Sequence, residues 1–178
     1  MANQFVFSTG TFKMGPQGNT PLDDSHLINA VQDVNADNSF TRAEVFGPNQ
    51  VSVYSIAQAD HSAKQTLKVT VNDIQLKQLP YLVGATHNVV SATDEYVIGQ
   101  TSVPQFCRVE FQAVDQLGKV WQYTATNAKP KGFSFSAKVQ GFADQPIEVD
   151  CYPDPNALDP IDGETARAGA VAFWTRVQ

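Results

Sequence analysis

Cysteine, tryptophan and methionine each occur only twice in this 178-residue sequence, and leucine occurs only eight times. Two cysteines cannot form a disulfide framework, and no apolar run approaches the ~18 residues that a membrane-spanning helix needs. Charged residues make up 17% of the chain, with 12 Lys and Arg against 18 Asp and Glu. The basic residues form no cluster. The sequence therefore argues against a bound nucleic acid, because such binding requires Lys and Arg to replace counterions.

Residues that favour strands are abundant instead. The chain has 20 Val and 13 Thr, which favour strands. Amides replace many of the missing charges, with 16 Gln and 10 Asn. β-Branched side chains suit the pleated, half-buried surface of a sheet, and this length corresponds to about one domain. The N-terminal sequence Met-Ala-Asn-Gln-Phe-Val-Phe has neither the basic nor the apolar region of a secretory signal. We therefore expect a single β-rich domain over residues 1–178, made and kept in the cytoplasm.

Hydrophobic alternation predicts several antiparallel strands. Residues 106–114 and 120–126 alternate on either side of Asp115-Gln-Leu-Gly118, a turn sequence, and this pattern predicts a hairpin. Residues 66–71 alternate as a half-buried strand. The remaining strands are expected near residues 5–7, 45–46, 51–56, 133–139, 147–151 and 170–177. From the apolar faces of these strands, we expect one core that includes Phe111, Trp121, Phe135 and Val149.

Helix signals are few. Leu76, Leu79 and Leu82 follow the spacing of a helix face, and Gly84 is a natural helix end. This spacing predicts one short helix near residues 73–83, with Pro80 as a possible kink. The expected fold is mainly β, with two packed antiparallel sheets (sandwich or barrel-like), one flanking short α-helix and long loops.

Candidate catalytic and metal-binding groups do not form a recognisable pattern. His26, His61 and His87 are far apart, and Cys107 and Cys151 fall in alternating strands, which favours small buried side chains. Residues 144–164 hold seven carboxylates and no Lys or Arg. We interpret this stretch as a solvated acidic loop, with a calcium site as the alternative. A nucleophile elbow and a phosphate-binding loop are both missing. The sequence predicts no enzyme, no cofactor and no metal site.

The order of elements resembles a known family. Residues 65–84 run from a strand directly into a short helix that ends at glycine. The Asp115 to Lys119 hairpin follows, and then a further strand pair and a final strand. Over about residues 40–152 this order resembles the major tail proteins, or tail tube proteins, of tailed bacteriophages. The Pro- and Asp-rich residues 153–164 depart from it. In that family two packed sheets and one helix form a subunit without catalytic residues, and subunits form rings that stack into a tube.

The segment over residues 10–40 matches the position of the long loop between rings in that family. Five Gly and Pro residues within 10–21 argue against regular structure there, yet the segment is rich in apolar side chains. We expect a long assembly loop or arm outside the core, with a fold back over the protein's own sheet as the alternative. Its candidate assembly residues are Phe12, Met14, Leu22, Leu27, Ile28 and Val31.

The resemblance implies a structural protein of the virion tail, assembled in the host cytoplasm. Its expected partners are copies of itself, in a hexameric ring that stacks into a tube, and other virion proteins. DNA passes through such a tube without specific binding, which suits an acidic protein. No membrane partner is expected. Two alternatives stay open: a capsid decoration (cement) or neck or baseplate protein, and a cell-surface or carbohydrate-binding β-sandwich.

Overall fold

A computed structural model describes residues 8–28, 31–46, 55–71, 74–115, 117–133 and 145–177. The fold is mainly β, with two antiparallel sheets and one short α-helix, as the sequence predicts. The strands are β1 (Ser8–Pro16), β2 (Leu27–Ile28), β3 (Val31–Phe46), β4 (Ser55–Val71), β5 (Thr86–Val90), β6 (Thr93–Val97), β7 (Cys107–Val114), β8 (Val120–Phe133), β9 (Gln145–Cys151) and β10 (Phe173–Arg176). The helix is α1 (Leu79–Val83), and 3₁₀ helices span Asp24–His26 and Leu76–Gln78.

The two sheets are unequal in size. The large sheet has the order β2-β1-β7-β8-β9-β4-β3, and β10 also pairs with β8. Along one edge of β8, β10 pairs with Trp121–Thr124 and β9 pairs with residues from Ala128 to Phe133. The order is open at β2 and β3, so the sheet does not close into a barrel. The small sheet is the hairpin of β5 and β6.

One apolar face of the large sheet carries the core. Alternation places the inward side chains of β7 opposite those of β1 and β8. The Phe111 and Tyr123 rings stack with centroids 4.9 Å apart, and the Trp174 ring meets both edge-on. The buried cluster also contains the following residues: Phe12, Met14, Ile28, Leu67, Val69, Val71, Leu82, Val109, Ile147 and Val149.

The predicted core is correct for two of its four residues. Phe111 and Val149 are buried in the cluster. The assignment of Trp121 to the core is wrong. Trp121 lies half-buried at the start of β8, where its indole N–H donates to Asp115 at 3.1 Å. Tyr123, two residues further along β8, takes the core position instead. Phe135 lies outside the described residues.

The first strand of the segment expected to be an assembly loop is instead part of the core. Residues 8–16 form β1, which pairs with β7 and β2. Its side chains Phe12 and Met14 are fully buried. The prediction of a loop outside the core is wrong, because the Gly and Pro residues sit where a strand tolerates them. A register shift between Thr9 and Phe12 spans Gly10, and Pro16 ends the strand.

The other predicted assembly residues share this environment. Leu22 and Ile28 are buried, and Leu27 is half-buried. Val31 packs partly buried against the core cluster. Over residues 10–28 the structure therefore shows the alternative, a segment that packs on the protein's own sheet, and the part that these six residues play in assembly stays a prediction.

The predicted helix is present. A 3₁₀ turn at Leu76–Gln78 leads into α1, and Gly84 ends the helix in the left-handed conformation at φ +69°. Its N–H donates to the Pro80 carbonyl at 3.1 Å. Pro80 lies in the first turn of α1, where no backbone donor is needed, so that it starts the helix and does not kink it.

Candidate functional site

A two-stranded ribbon extends from the large sheet. Residues 65–71 of β4 pair with β9 on one side and β3 on the other. Residues 55–64 of β4, by contrast, pair only with residues 39–46 of β3 in the described part of the chain. We call residues 39–46 and 55–64 the β3–β4 ribbon. At about 3.4 Å per residue, its ten β4 residues extend roughly 34 Å.

The ribbon leaves backbone groups without strand partners. A strand that pairs on one side presents a row of N–H and C=O groups on the other, and this row is a template for another chain. Within the described residues, β3 has β4 as its only strand neighbour along 16 residues. A two-stranded ribbon is also marginally stable by itself in water. Its geometry therefore suits contact with a further strand or surface.

The β5–β6 hairpin is a second extended element. All its residues are exposed except Tyr96, which is half-exposed. The turn residues Ser91 and Ala92 have φ values of +50° and +62°, a conformation that usually requires Asn or Gly. His87 links the two strands, because its ring stacks on Tyr96 and its Nε2 lies 2.7 Å from an Asp94 carboxylate oxygen.

The second face of the large sheet is covered by polar contacts. Arg108 and Glu110 point away from the apolar core, and they form an ion pair that is buried, with residue exposures of 1% and 6%. The loop after β1 closes over this pair. Arg108 donates to the Gly18 carbonyl at 3.0 Å, and the Leu22 N–H donates to Glu110 at 3.2 Å. Sequence reasoning missed this buried polar layer, because alternation separates the two faces of a strand but does not show whether the polar face is covered.

The acidic stretch after β9 is folded into turns. Asp154 is buried and accepts hydrogen bonds from the Thr126 hydroxyl and the Asn156 N–H. Asp159 forms an ion pair with Arg167 at 2.9 Å. The interpretation of residues 144–164 as a solvated loop is therefore wrong for Asp154, and also for Asp150, which is buried in β9. Among the described residues, no three His, Cys, Asp or Glu side chains group as metal ligands do, so the calcium alternative has no support there.

The two cysteines are buried thiols, as expected. Cys107 in β7 and Cys151 in β9 both pair with Ala128 in the strand between them. Two strand spacings separate them by roughly 9.6 Å, beyond the Cα separation of a disulfide. Burial raises the pKa of Cys151 to about 11, with the hydrogen bond from Tyr123 acting in the opposite direction. Burial also raises the pKa of Cys107. Neither thiol is activated as a nucleophile.

The described histidines have acidic partners and lie apart from each other. His26 Nδ1 lies 2.9 Å from Asp23, and His87 contacts Asp94. The side chain of His61 lies outside the described part of the structure. No helix in the described residues combines the length and the hydrophobicity that crossing a bilayer requires.

No protein-family model and no curated protein matches the sequence. The extended β elements are therefore the observations on which a function can be argued.

Proposed function

We propose that this protein is a structural subunit that assembles with copies of itself, as a tail tube protein of a bacteriophage virion does. The observation that carries the proposal is the β3–β4 ribbon, which extends roughly 34 Å beyond the last strand that supports it. An extended ribbon with an unpaired edge gains hydrogen bonds and apolar contacts only when another chain covers it. A second copy of the same chain is the simplest such partner.

The ribbon also suits a ring or a tube. Ring formation requires that one surface of a subunit contacts a different surface of the next subunit. The ribbon is formed by the strands at one end of the strand order, β4 and β3, whereas β2 and β1 stand at the other end of that order. A ribbon reaching across to a neighbouring copy makes a contact of this head-to-tail kind. Stacked rings of six subunits follow from the resemblance in element order.

Charge supports the second part of the proposal, a conduit for DNA. The net charge of −6 repels a polyanion, so that DNA passes along a lumen without binding to its wall. In this proposal the assembled tube is part of the virion tail, is built in the host cytoplasm, and contacts other virion proteins at its ends.

Removing the ribbon tests the proposal. Phe40 pairs with Ala63, so a two-residue Asn-Gly turn can replace residues 41–62 without changing the register of the remaining sheet. We expect this variant to fold and to melt near the wild-type temperature, because it keeps residues 65–71, the part of β4 that pairs with β9. Sedimentation velocity should show that it stays monomeric at concentrations where the wild type assembles.

A matched control separates the ribbon from general surface effects. Leu117 is 83% exposed in the turn between β7 and β8, so Leu117→Ser removes an exposed apolar side chain at a distant place. This variant should assemble as the wild type does. A ribbon-truncated protein that assembles at wild-type concentrations would refute the role of the ribbon.

A further inference from the structure

A small cavity lies on the polar face of the large sheet, beside the loop after β1. Its volume is about 130 Å³, close to the roughly 150 Å³ that holds a benzene-sized molecule. Lys13 of β1 pairs with Glu110 of β7, and Gln112 of β7 pairs with Gln122 of β8, so these four side chains share one face. We call this cavity the polar pocket. Its lining includes Thr11, Lys13, Leu22, Glu110, Gln112 and Gln122.

Glu110 has a carboxylate oxygen without a hydrogen-bond donor. Its Oε1 accepts from Arg108 Nε and from the Leu22 N–H, whereas no group in the described residues donates to its Oε2. The side chain is only 7% exposed, and a buried acceptor without a donor is unfavourable. Because Glu110 lines the polar pocket, a molecule there can supply the missing donor.

The two glutamines of the polar pocket keep capacity for further hydrogen bonds. Gln112 Nε2 donates to Gln122 Oε1, and Gln122 Nε2 donates to the Thr124 hydroxyl, both at 3.4 Å. These distances exceed the roughly 2.9–3.0 Å of an ordinary N–H···O bond. Within the described residues, nothing donates to Gln112 Oε1. The glutamines therefore offer an acceptor, and each also has a second N–H.

The charges at the polar pocket are balanced. Glu110 forms an ion pair with Arg108, and Lys13 forms one with Asp24 at 2.9 Å. Lys13 Nζ also donates to the Leu22 carbonyl, which leaves one of its three N–H groups. A cation in the pocket would be repelled by Lys13, and an anion by Glu110. A neutral group that both donates and accepts hydrogen bonds fits this arrangement.

We propose that the polar pocket binds a primary carboxamide group. The amide NH₂ offers two donors for two acceptors that lack them, Glu110 Oε2 and Gln112 Oε1. The amide carbonyl accepts from the remaining N–H of Lys13. Such a group comes from a free small amide or from an Asn or Gln side chain of a second copy of this chain. This site is separate from the β3–β4 ribbon and does not depend on the proposed self-assembly.

Titration of the ¹⁵N-labelled full-length protein with acetamide, followed by NMR, tests this inference. We expect saturable shifts of the side-chain amide signals of Gln112 and Gln122, with a Kd in the millimolar range because so small a ligand makes few contacts. Acetate and ethylammonium have a similar size but carry a charge, and each should bind at least about tenfold more weakly. Missing or unsaturable shifts overturn the site. Equal binding of acetate, ethylammonium or glycerol overturns the assignment to a carboxamide.

A charge-switching variant places the binding in this pocket. Gln112→Glu adds a second carboxylate beside Glu110, so we expect acetamide to bind about tenfold more weakly and ethylammonium to bind more tightly. The matched control is Gln105→Glu, the same change at an exposed residue outside the pocket, which should bind acetamide as the wild type does. If thermal melting shows that Gln112→Glu is unfolded, Gln112→Leu decides the outcome. Unchanged acetamide binding by the folded variant overturns the inference.

Sedimentation velocity with and without saturating acetamide distinguishes the two sources of the amide. Acetamide that weakens self-association supports a side chain of a second copy as the natural occupant. Self-association that is unaffected by bound acetamide supports a free small amide. A wild type that stays monomeric overturns the proposed function, whereas acetamide binding to that monomer would still support the pocket.

Discussion

Arg108 and Glu110 form a buried ion pair, so each charge depends on the other. The loop over residues 17–28 covers the pair and supplies further hydrogen-bond partners. Breaking a buried pair by removing one partner leaves an uncompensated charge in a region of low polarity. The loop is held by the same contacts, so its position on the sheet depends on this pair.

We expect Glu110→Ala to lower the free energy of unfolding by about 3–5 kcal/mol, measured by urea denaturation. The matched control is Glu148→Ala, which removes an exposed ion pair with Lys131 and should cost less than about 1 kcal/mol. Equal effects of the two substitutions would show that the Arg108–Glu110 pair is accessible to water and that the loop does not cover it.

Two aspartates at turns titrate below their usual range. Hydrogen bonds from the Ser25 hydroxyl, from His26 and from the Ser25 N–H lower the pKa of Asp23 from 3.8 to about 2. Hydrogen bonds from the Thr165 hydroxyl and from the N–H groups of Thr165 and Glu164 lower the pKa of Asp162 to about 2 as well. Both carboxylates lie at exposed turns that order neighbouring loops.

Because these pKa values are lower in the folded than in the unfolded chain, their contribution to stability is present above about pH 4 and is lost as the pH falls towards 2. Titration of the carboxyl carbons by NMR should give midpoints near 2 for Asp23 and Asp162. In Ser25→Ala the Asp23 midpoint should rise towards 3.8, with no change at Asp162. Normal midpoints in the wild-type protein would show that these turns do not form.

At the scale of elements, the connection between α1 and the β5–β6 hairpin depends on Gly84. Its φ of +69° disfavours a side chain, and a Cβ atom there would lie 2.1 Å from the Val103 carbonyl oxygen. Gly118, in the turn between β7 and β8, has a similar φ of +75° but no atom within 4 Å of an added Cβ. The two glycines thus differ in the space around them and not in backbone conformation.

We expect Gly84→Ala to cost about 2–4 kcal/mol, from backbone strain together with displacement of the loop at Val103. Gly118→Ala should cost only about 1 kcal/mol, because backbone strain acts alone. Thermal or urea unfolding measures both. Equal costs would mean that the loop carrying Val103 does not pack on α1.

How far the sequence predicts each element depends on what the element packs against. The strand at residues 66–71 and the hairpin around Asp115 were predicted correctly, because one buried face produces clear alternation. The sequence of β1 was interpreted as a loop, since Gly10, Gly15 and Pro16 obscured the alternation of Phe12 and Met14. Gly and Pro argue against a strand when they would interrupt its interior. In β1 they instead lie at a register shift and near the end of the strand, where a strand tolerates them.

The candidate site was less predictable than the core. Alternation predicts a strand only where one face of the strand is apolar. Residues 35–44 of β3 are mostly polar and show no such alternation, although they belong to a strand of 16 residues. The hairpin at residues 86–97 also lacked the Asn-Gly turn that would have indicated it. Sequence reasoning instead assigned assembly to apolar residues such as Phe12, which the structure places in the core. Apolar residues alone do not distinguish an interface from a core.

At the scale of the whole molecule, we propose that the extended β elements are the means of assembly. The large sheet carries the buried core, and the β3–β4 ribbon and the β5–β6 hairpin have edges that lack strand partners in the described residues. A monomer that exposes two such elements exposes backbone groups and apolar side chains that assembly would cover. Self-assembly is therefore the central claim.

Negative-stain electron microscopy of the purified full-length protein tests this claim most directly. We expect six-fold rings, or tubes of stacked rings, when the protein is concentrated at neutral pH. Closed trimers would favour the capsid decoration alternative instead. Particles that remain single, globular monomers at every concentration would contradict the proposed self-assembly.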